Sequence, residues 1–298
     1  MGIAKSRRRE SGPDIAFNWC NYAFMVLMSV TTLYPFFFLL TSSLSALDMT
    51  LGGFSLLPRD FTLNNYEKVF RNPAIWTGYY NTILRTVVGT ALSLVVTFCL
   101  AWPLAKKSFP NRNFWTALIV FTMFFSGGMI PSYLLVRQLH LIDTVWALIL
   151  PELVTAYNFV IVRNYMQTIP NSMEESAKID GANDIRILFQ IILPVCKPII
   201  ATIALWVAVW HWNSWFDSMI YVTKASGQVV QLVMRRIVLE GSDQMTAMMA
   251  EAQRQGVVIA PEGLKAATIM VTTIPILCIY PFVQKYFVKG VMMGSLKG

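Results

Sequence analysis

Apolar runs of about 20 residues constrain this chain more than anything else in it, because that is the length an α-helix needs to cross the hydrocarbon core of a bilayer. FNWCNYAFMVLMSVTTLYPFFFLLTSSL (17–44) is the first such run and LKAATIMVTTIPILCIYPFVQKYF (264–287) the last. Four more read as spans between them, at 80–105, 114–136, 144–166 and 199–222. Charged residues make up only 13% of the 298 positions and hydrophobic ones 55%, whereas soluble domains carry about 25% charge. The expected fold is an all-α integral membrane protein, a single transmembrane domain over 1–298 with six helices. Two longer loops, 45–79 and 223–263, lie on one side and the loop 167–198 on the other. Pro35, Pro103, Pro131, Pro151, Pro275 and Pro281 fall inside these spans. Helices in lipid tolerate proline where neighbours satisfy the freed carbonyls.

Orientation follows from the distribution of Lys and Arg. Lys5, Arg7, Arg8 and Arg9, then Lys106, Lys107 and Arg112, then Arg163, Lys178, Arg186 and Lys197, and finally Lys285, Lys289 and Lys297 gather on one side. Fewer lie on the other, most of them diluted over the two long loops. Both termini and the loop 167–198 are therefore expected in the cytoplasm. The net charge of +8 is explained by this bias, which makes nucleic acid a poor partner. Cys20, Cys99, Cys196 and Cys278 sit in or beside apolar runs without a C-x-x-C pair; they read as packing residues rather than as a disulfide framework or zinc site.

The cytoplasmic loop carries EESAKIDGANDIRILFQIILPVCKP (174–198), a charged insert between apolar segments. Ser172 is positioned to cap a short helix with Glu175 closing a capping box. Glu174 and Glu175 then stand in a first turn, where the helix dipole favours acids. Gly181 is the expected stop. NDIRILFQIIL continues as a second amphipathic helix towards Pro194. Composition alone allows an ordinary interfacial helix here. The residue order says more. Glu175, Ser176 and Ala177, three further residues, Gly181, nine more and then Ile191-Ile192-Leu193-Pro194 resemble the EAA motif of ABC importer permeases, with Ser176 in place of an alanine. NTILRTVVGTALSLVVTFCLAWPLAKKSFP, IPSYLLVRQLHLIDTVWALILP, RNYMQTIPNSMEESAKIDGA and QKYFVKGVMMGSLKG extend the resemblance over nearly the whole chain, to the six-helix permease of maltose-type importers. FSGGMIP and HWNSWFD are most similar to the branch for oligosaccharides of complex polysaccharides such as pectin or alginate.

The resemblance implies a type I ABC importer permease in the inner membrane of a bacterium. Its implied partners are a second permease subunit, two cytosolic ATPase subunits and an extracytoplasmic binding protein that delivers oligosaccharide. The insert would be the coupling helix, with Glu174, Glu175, Ala177, Asp180, Gly181 and Ala182 at the ATPase contact and the tail from Gly294 to Gly298 as a secondary one. The chain contains no G-x-x-x-x-G-K-[ST] and so has no P-loop. ATP and magnesium would be held by the ATPase subunits, leaving this chain without a cofactor or catalytic residue of its own.

ATIALWVAVWHWNSWFDSMIYV (201–222) concentrates aromatic and polar residues. Trp and Tyr gather at membrane interfaces as an anchoring belt, which accounts for each ring separately. A belt does not call for His211, Asn213 and Asp217 at the same depth, and polar groups within spans face bundle interiors or wet cavities. Trp210, Trp212, Asn213, Trp215, Phe216 and Asp217, with Tyr157 and Asn158 in the middle of the fourth span, are therefore candidate sugar contacts. Glu152 is either buried neutral or paired with Arg85, which in turn has the option of snorkelling outward. Arg235, Arg236 and Arg254 read as a solvated surface for an acidic binding protein, or as an attractor for an anionic oligosaccharide. An ion-coupled secondary transporter is the main alternative and needs a relay of intramembrane ionisable groups; only Arg85, Glu152 and Asp217 are clear candidates. The other alternative is an ABC permease for a non-sugar solute.

Overall fold

The computed structural model describes residues 12–46, 57–239, 250, 254 and 261–295, with backbone alone from 279. Parts of both long loops and the last three residues of the tail thus lie outside the described residues. Those described form helices, turns and one isolated antiparallel bridge between Ser45 and Phe61. The helices are α1 (Gly12–Ser43), α2 (Asn64–Arg71), α3 (Pro73–Ala105), α4 (Arg112–Phe124), α5 (Met129–Gln138), α6 (Ala156–Met166), α7 (Asn171–Ile179), α8 (Asp184–Val195), α9 (Lys197–Asn213), α10 (Phe216–Tyr221), α11 (Val230–Leu239) and α12 (Pro261–Ser295). The chain divides into two compact units, one of 1–69 with 246–271 and one of 70–245 with 272–298.

In the first unit α1 is apolar all round, and none of its most hydrophobic stretch is buried. Such a helix needs lipid or a partner around it. Its C-terminal end is held by polar contacts. Asn65 donates to the carbonyls of Ser43 and Ser45, both at 3.0 Å, and Ser43 Oγ lies 2.7 Å from the Tyr66 hydroxyl.

The second unit is organised around α3. Asn72 opens it as N-cap, accepting from Ala74 N at 2.9 Å, with Pro73 in the first turn. Such a proline is pre-set for a helix start and removes an N–H that would lack a partner. Phe98, Ala101, Trp102, Phe159, Val162, Ile199, Ile203 and Val207 bury one continuous cluster with α3 at its centre. Lipid tails are as apolar as these side chains, so close packing rather than escape from water holds the helices together. Small residues set how close they come. A Cβ at Gly78 would lie 2.9 Å from Val230 Cα, and one at Gly89 would overlap the His211 ring.

α1 and α3 are single helices long and apolar enough to span; the other candidates among the described residues are broken. The expected helix 114–136 is two, α4 and α5, bent by 113°. Gly128 lies between them at φ +86°, a conformation costly for any residue with a Cβ. The expected helix 144–166 begins as two 3₁₀ turns, Val145–Leu148 and Leu150–Glu152, before α6, bent by 54°. The expected helix 199–222 starts earlier, at Lys197, and is interrupted at Ser214 and Trp215 between α9 and α10. Ahead of it, α8 contains a π-helical turn, Ile187–Ile192. Pro194 has no N–H and crowds the carbonyl four residues back, and the wide turn relieves that conflict.

Candidate functional site

The three interruptions meet at one place. A cavity of about 1110 Å³ in the second unit is lined by residues at the α4–α5 break, by the 3₁₀ segment and by the α9–α10 break. Trp206, Trp210, Trp215, Phe216 and Tyr221 give it an aromatic wall, and Glu152, Asn213 and Asp217 add polar atoms. Aromatic faces suit the C–H faces of a sugar ring, and amide and carboxylate groups suit hydroxyls. Of the residues expected along a solute path, Trp210, Asn213, Trp215, Phe216 and Asp217 line the cavity. Trp212 does not; it is buried and packs 6.3 Å from the Tyr79 ring. Tyr157 and Asn158 are in the first turn of α6 rather than mid-span, and neither lines the cavity. Tyr157 packs on Trp206, centroids 5.9 Å apart, so it backs the wall. Asn213 donates to Val209 O at 2.8 Å through its amide nitrogen.

Arg85 supports this wall from behind and is the residue whose place sequence reasoning misjudged. It neither snorkels nor pairs with Glu152; its side chain is 0% exposed and grips Asp217. The two guanidinium Nη atoms approach the two carboxylate oxygens at 3.2 and 2.5 Å, the paired geometry in which Arg binds carboxylate most strongly. The same guanidinium donates to Leu148 O at 3.1 Å in the 3₁₀ segment and to Ser214 O at 3.4 Å in the α9–α10 break. It also stands 5.7 Å from the Trp210 ring centre. One buried cation from α3 thereby satisfies carbonyls that two interrupted helices leave open. A signal was present in the sequence: a lone arginine within an apolar span requires a buried acceptor, and Asp217 is as available as Glu152.

Arg235 and Arg236 are half-buried rather than solvated. Arg235 stacks 3.9 Å over the Trp215 ring, behind the aromatic wall, and Arg236 donates to Gln228 Oε1 at 2.9 Å. Arg254 is exposed.

The charged loop folds as a short helix with its ends reversed in importance. No capping box forms; Pro170 occupies the N-cap, no side chain caps the helix, and Ser172 and Glu175 are exposed within it. The C-terminal end is well made. Gly181 sits at φ +78°; its N–H donates to Lys178 O at 3.0 Å and that of Ala182 to Ala177 O at 2.9 Å. This pair of bonds is the Schellman motif, in which a left-handed glycine ends a helix. A Cβ at Gly181 would meet nothing within 4 Å, so its backbone angle rather than crowding calls for glycine.

α7 is fastened on its inner face. Ala177 is buried in the α3-centred cluster. Glu174 receives Lys106 Nζ at 2.6 Å and Lys178 Nζ at 2.9 Å. Partial burial pushes the Glu174 carboxyl upward, but these two hydrogen bonds and their charges outweigh it and hold the group below the usual glutamate range. The outer face presents Glu175, Ile179 and Asp180, with Ile185 beyond the turn. Ile179 is 86% exposed and Ile185 71%, an apolar edge within an acidic surface.

A model of the family described as "Binding-protein-dependent transport system inner membrane component" matches residues 14–293. The chain belongs to that family. As an inner membrane component it resembles Protein LplC of Bacillus subtilis (strain 168), 40% identical over 283 residues and 95% of each chain. It also resembles the polygalacturonan/rhamnogalacturonan transport system permease protein YtcP of the same strain, 38% identical over 95% of this chain and 98% of the relative. Among solved structures, a chain of a bacterial ABC transporter that imports the acidic polysaccharide alginate superposes with a TM-score of 0.87 at 30% identity. That match covers 94% of this chain and 99% of the other. A chain of an alginate transporter solved with a pentasaccharide-bound periplasmic protein shares the fold, with a TM-score of 0.53 at 16% identity.

Proposed function

We propose that this inner membrane component is the pathway subunit of an ATP-driven, binding-protein-dependent importer of oligosaccharides from complex polysaccharides. The cavity between the three broken helices is the observation that carries the reading, because an aromatic wall with a few fixed polar groups matches what a sugar presents. Relatives named for pectin-derived and alginate transport support the same cargo class. A second permease subunit would complete the path, and an extracytoplasmic binding protein would load it, Arg254 being available to contact that protein. α7 would be the coupling helix. Its inner face is fastened by Ala177 and Glu174, and its outer face offers Glu175, Ile179, Asp180 and Ile185 to one of two cytosolic ATPase subunits. Both termini would be cytoplasmic. An ion-coupled mechanism would need a free relay, and Asp217 is committed to Arg85.

The test is reconstitution with the second permease, the ATPase and the binding protein in sealed vesicles. Uptake of labelled oligosaccharide should require ATP and the ATPase. Gly181→Val should cost about 1–2 kcal/mol at the turn, as a left-handed residue with a side chain does. It should abolish binding-protein-stimulated ATP hydrolysis while leaving the complex assembled. Uptake that persists without the ATPase subunit would refute the proposal in favour of a secondary transporter.

A further inference from the structure

A second cavity, of about 290 Å³, lies in the second unit where α3 ends and α7 begins. Its walls include Trp102, Lys106, Lys107, Arg112, Asn171 and Glu174. Lys106 is spoken for: it pairs with Glu174 at 2.6 Å and Asp184 at 3.2 Å, and lies 4.2 Å from the Trp102 ring centre. Glu174 is consumed in turn by Lys106 and Lys178. Lys107 and Arg112 have no ion-pair partner among the described residues. The cavity therefore holds two uncompensated cations against no uncompensated acid. The amide of Asn171 stands in the first turn of α7, whose free N–H groups carry partial positive charge. The cations and the helix N-terminus ask for the same occupant, a compact oxyanion.

Its source follows from what lies beside the cavity. Phe114, Trp115 and Leu118 on the first turns of α4 are exposed at 62%, 47% and 47%. An aromatic pair followed by aliphatic surface marks the border between headgroups and acyl chains. Arg112, immediately before them, then lies at headgroup depth, where basic pockets between helices on the cytoplasmic side bind anionic lipids. We infer that this cavity binds the phosphate of an anionic phospholipid headgroup between Lys107, Arg112 and the start of α7, beside the ion pairs that fasten α7 to α3. The bound phosphate neutralises the two free cations and braces the junction at which α7 meets the bundle. The inference does not depend on which solute is carried.

The experiment uses the assembled complex purified in neutral detergent. Short-chain phosphatidylglycerol, short-chain phosphatidylcholine or inorganic phosphate is titrated in, and the thermal midpoint is followed. Phosphatidylglycerol should raise the midpoint saturably, and the other two should not at equal concentration. Lys107→Gln with Arg112→Gln should weaken the apparent affinity for phosphatidylglycerol by about 30-fold, on the order of fivefold per cation, with the lipid-free midpoint unchanged. Lys107→Arg should retain it, and added salt should weaken it. An unaltered phosphatidylglycerol shift in the double variant would overturn the site. An equal response to phosphatidylcholine would overturn the role of charge, and an equal response to inorganic phosphate would overturn the lipid source.

Discussion

Arg85→Met tests the arrangement behind the aromatic wall most directly. Methionine preserves much of the apolar stem but removes every donor of the guanidinium. Both Asp217 oxygens and the carbonyls of Leu148 and Ser214 would then lose a partner. Hydrogen bonds between membrane helices are often weak, averaging about 0.6 kcal/mol, because the unfolded chain in the bilayer finds other partners. This cluster should exceed that value. Removing one member of a buried ion pair leaves an uncompensated charge and costs about 3–5 kcal/mol. The guanidinium is 0% exposed and the carboxylate 18%, so Asp217 keeps limited access to the cavity and the lower end applies. A loss of about 3 kcal/mol lowers the folding equilibrium constant on the order of a hundredfold.

Two companions separate charge from packing. Asp217→Asn retains an acceptor but leaves the fully buried guanidinium without a counter-charge, and should cost about 3–5 kcal/mol. Arg85→Met with Asp217→Asn removes both charges and should lose less than the two single variants together, giving a coupling energy of about 2–3 kcal/mol. Denaturant titration of the assembled complex in micelles, followed by helix circular dichroism, measures all four proteins. Tryptophan fluorescence provides a local probe, because Trp210 and Trp215 flank the pair. If the coupling falls within about 0.5 kcal/mol of zero, the ion pair does not hold the broken helices and the reasoning fails.

Gly89→Ala should destabilise by about 1–3 kcal/mol, as overpacking does, because its Cβ would overlap the His211 ring. His211→Ser in the same chain should restore most of the loss in a melting experiment. At α7, the lowered Glu174 value means that the folded chain favours the carboxylate. Its stabilising effect should be complete above the ordinary glutamate range near pH 4.3 and fade as pH falls through the lower folded value. Melting the complex across this acidic range should show a steeper decline for the native chain than for Glu174→Gln; parallel declines would remove Glu174 from the fastening of α7.

What the sequence reveals, and what it conceals, depends on the distance over which the deciding force acts. Long apolar runs are local, and α1 and α3 follow from them directly. The Gly181 turn is also local: a glycine after a short helix needs only its own backbone freedom, and the left-handed φ appears where expected. Capping was less legible. Ser172 and Glu175 carry the right pattern, but Pro170 starts α7 two residues earlier and both are exposed.

The helix breaks divide in the same way. Gly128 and Pro151 advertise two of them, because glycine loosens a helix and proline removes one of its donors. Ser214 and Trp215 carry no such mark, and the sequence through them reads as one continuous span. An open turn within a membrane survives only if something satisfies its carbonyls. That group is Arg85, which lies 129 residues away from Ser214 along the chain. The same arginine draws Asp217 to the back of the cavity and leaves Glu152 unpaired by it, reversing the pairing expected from the sequence. A solitary cation in an apolar helix is therefore better read as a marker for a nearby backbone break than as an isolated charge awaiting a carboxylate. Any residue with a carbonyl freed by that break is as eligible a partner as an acid.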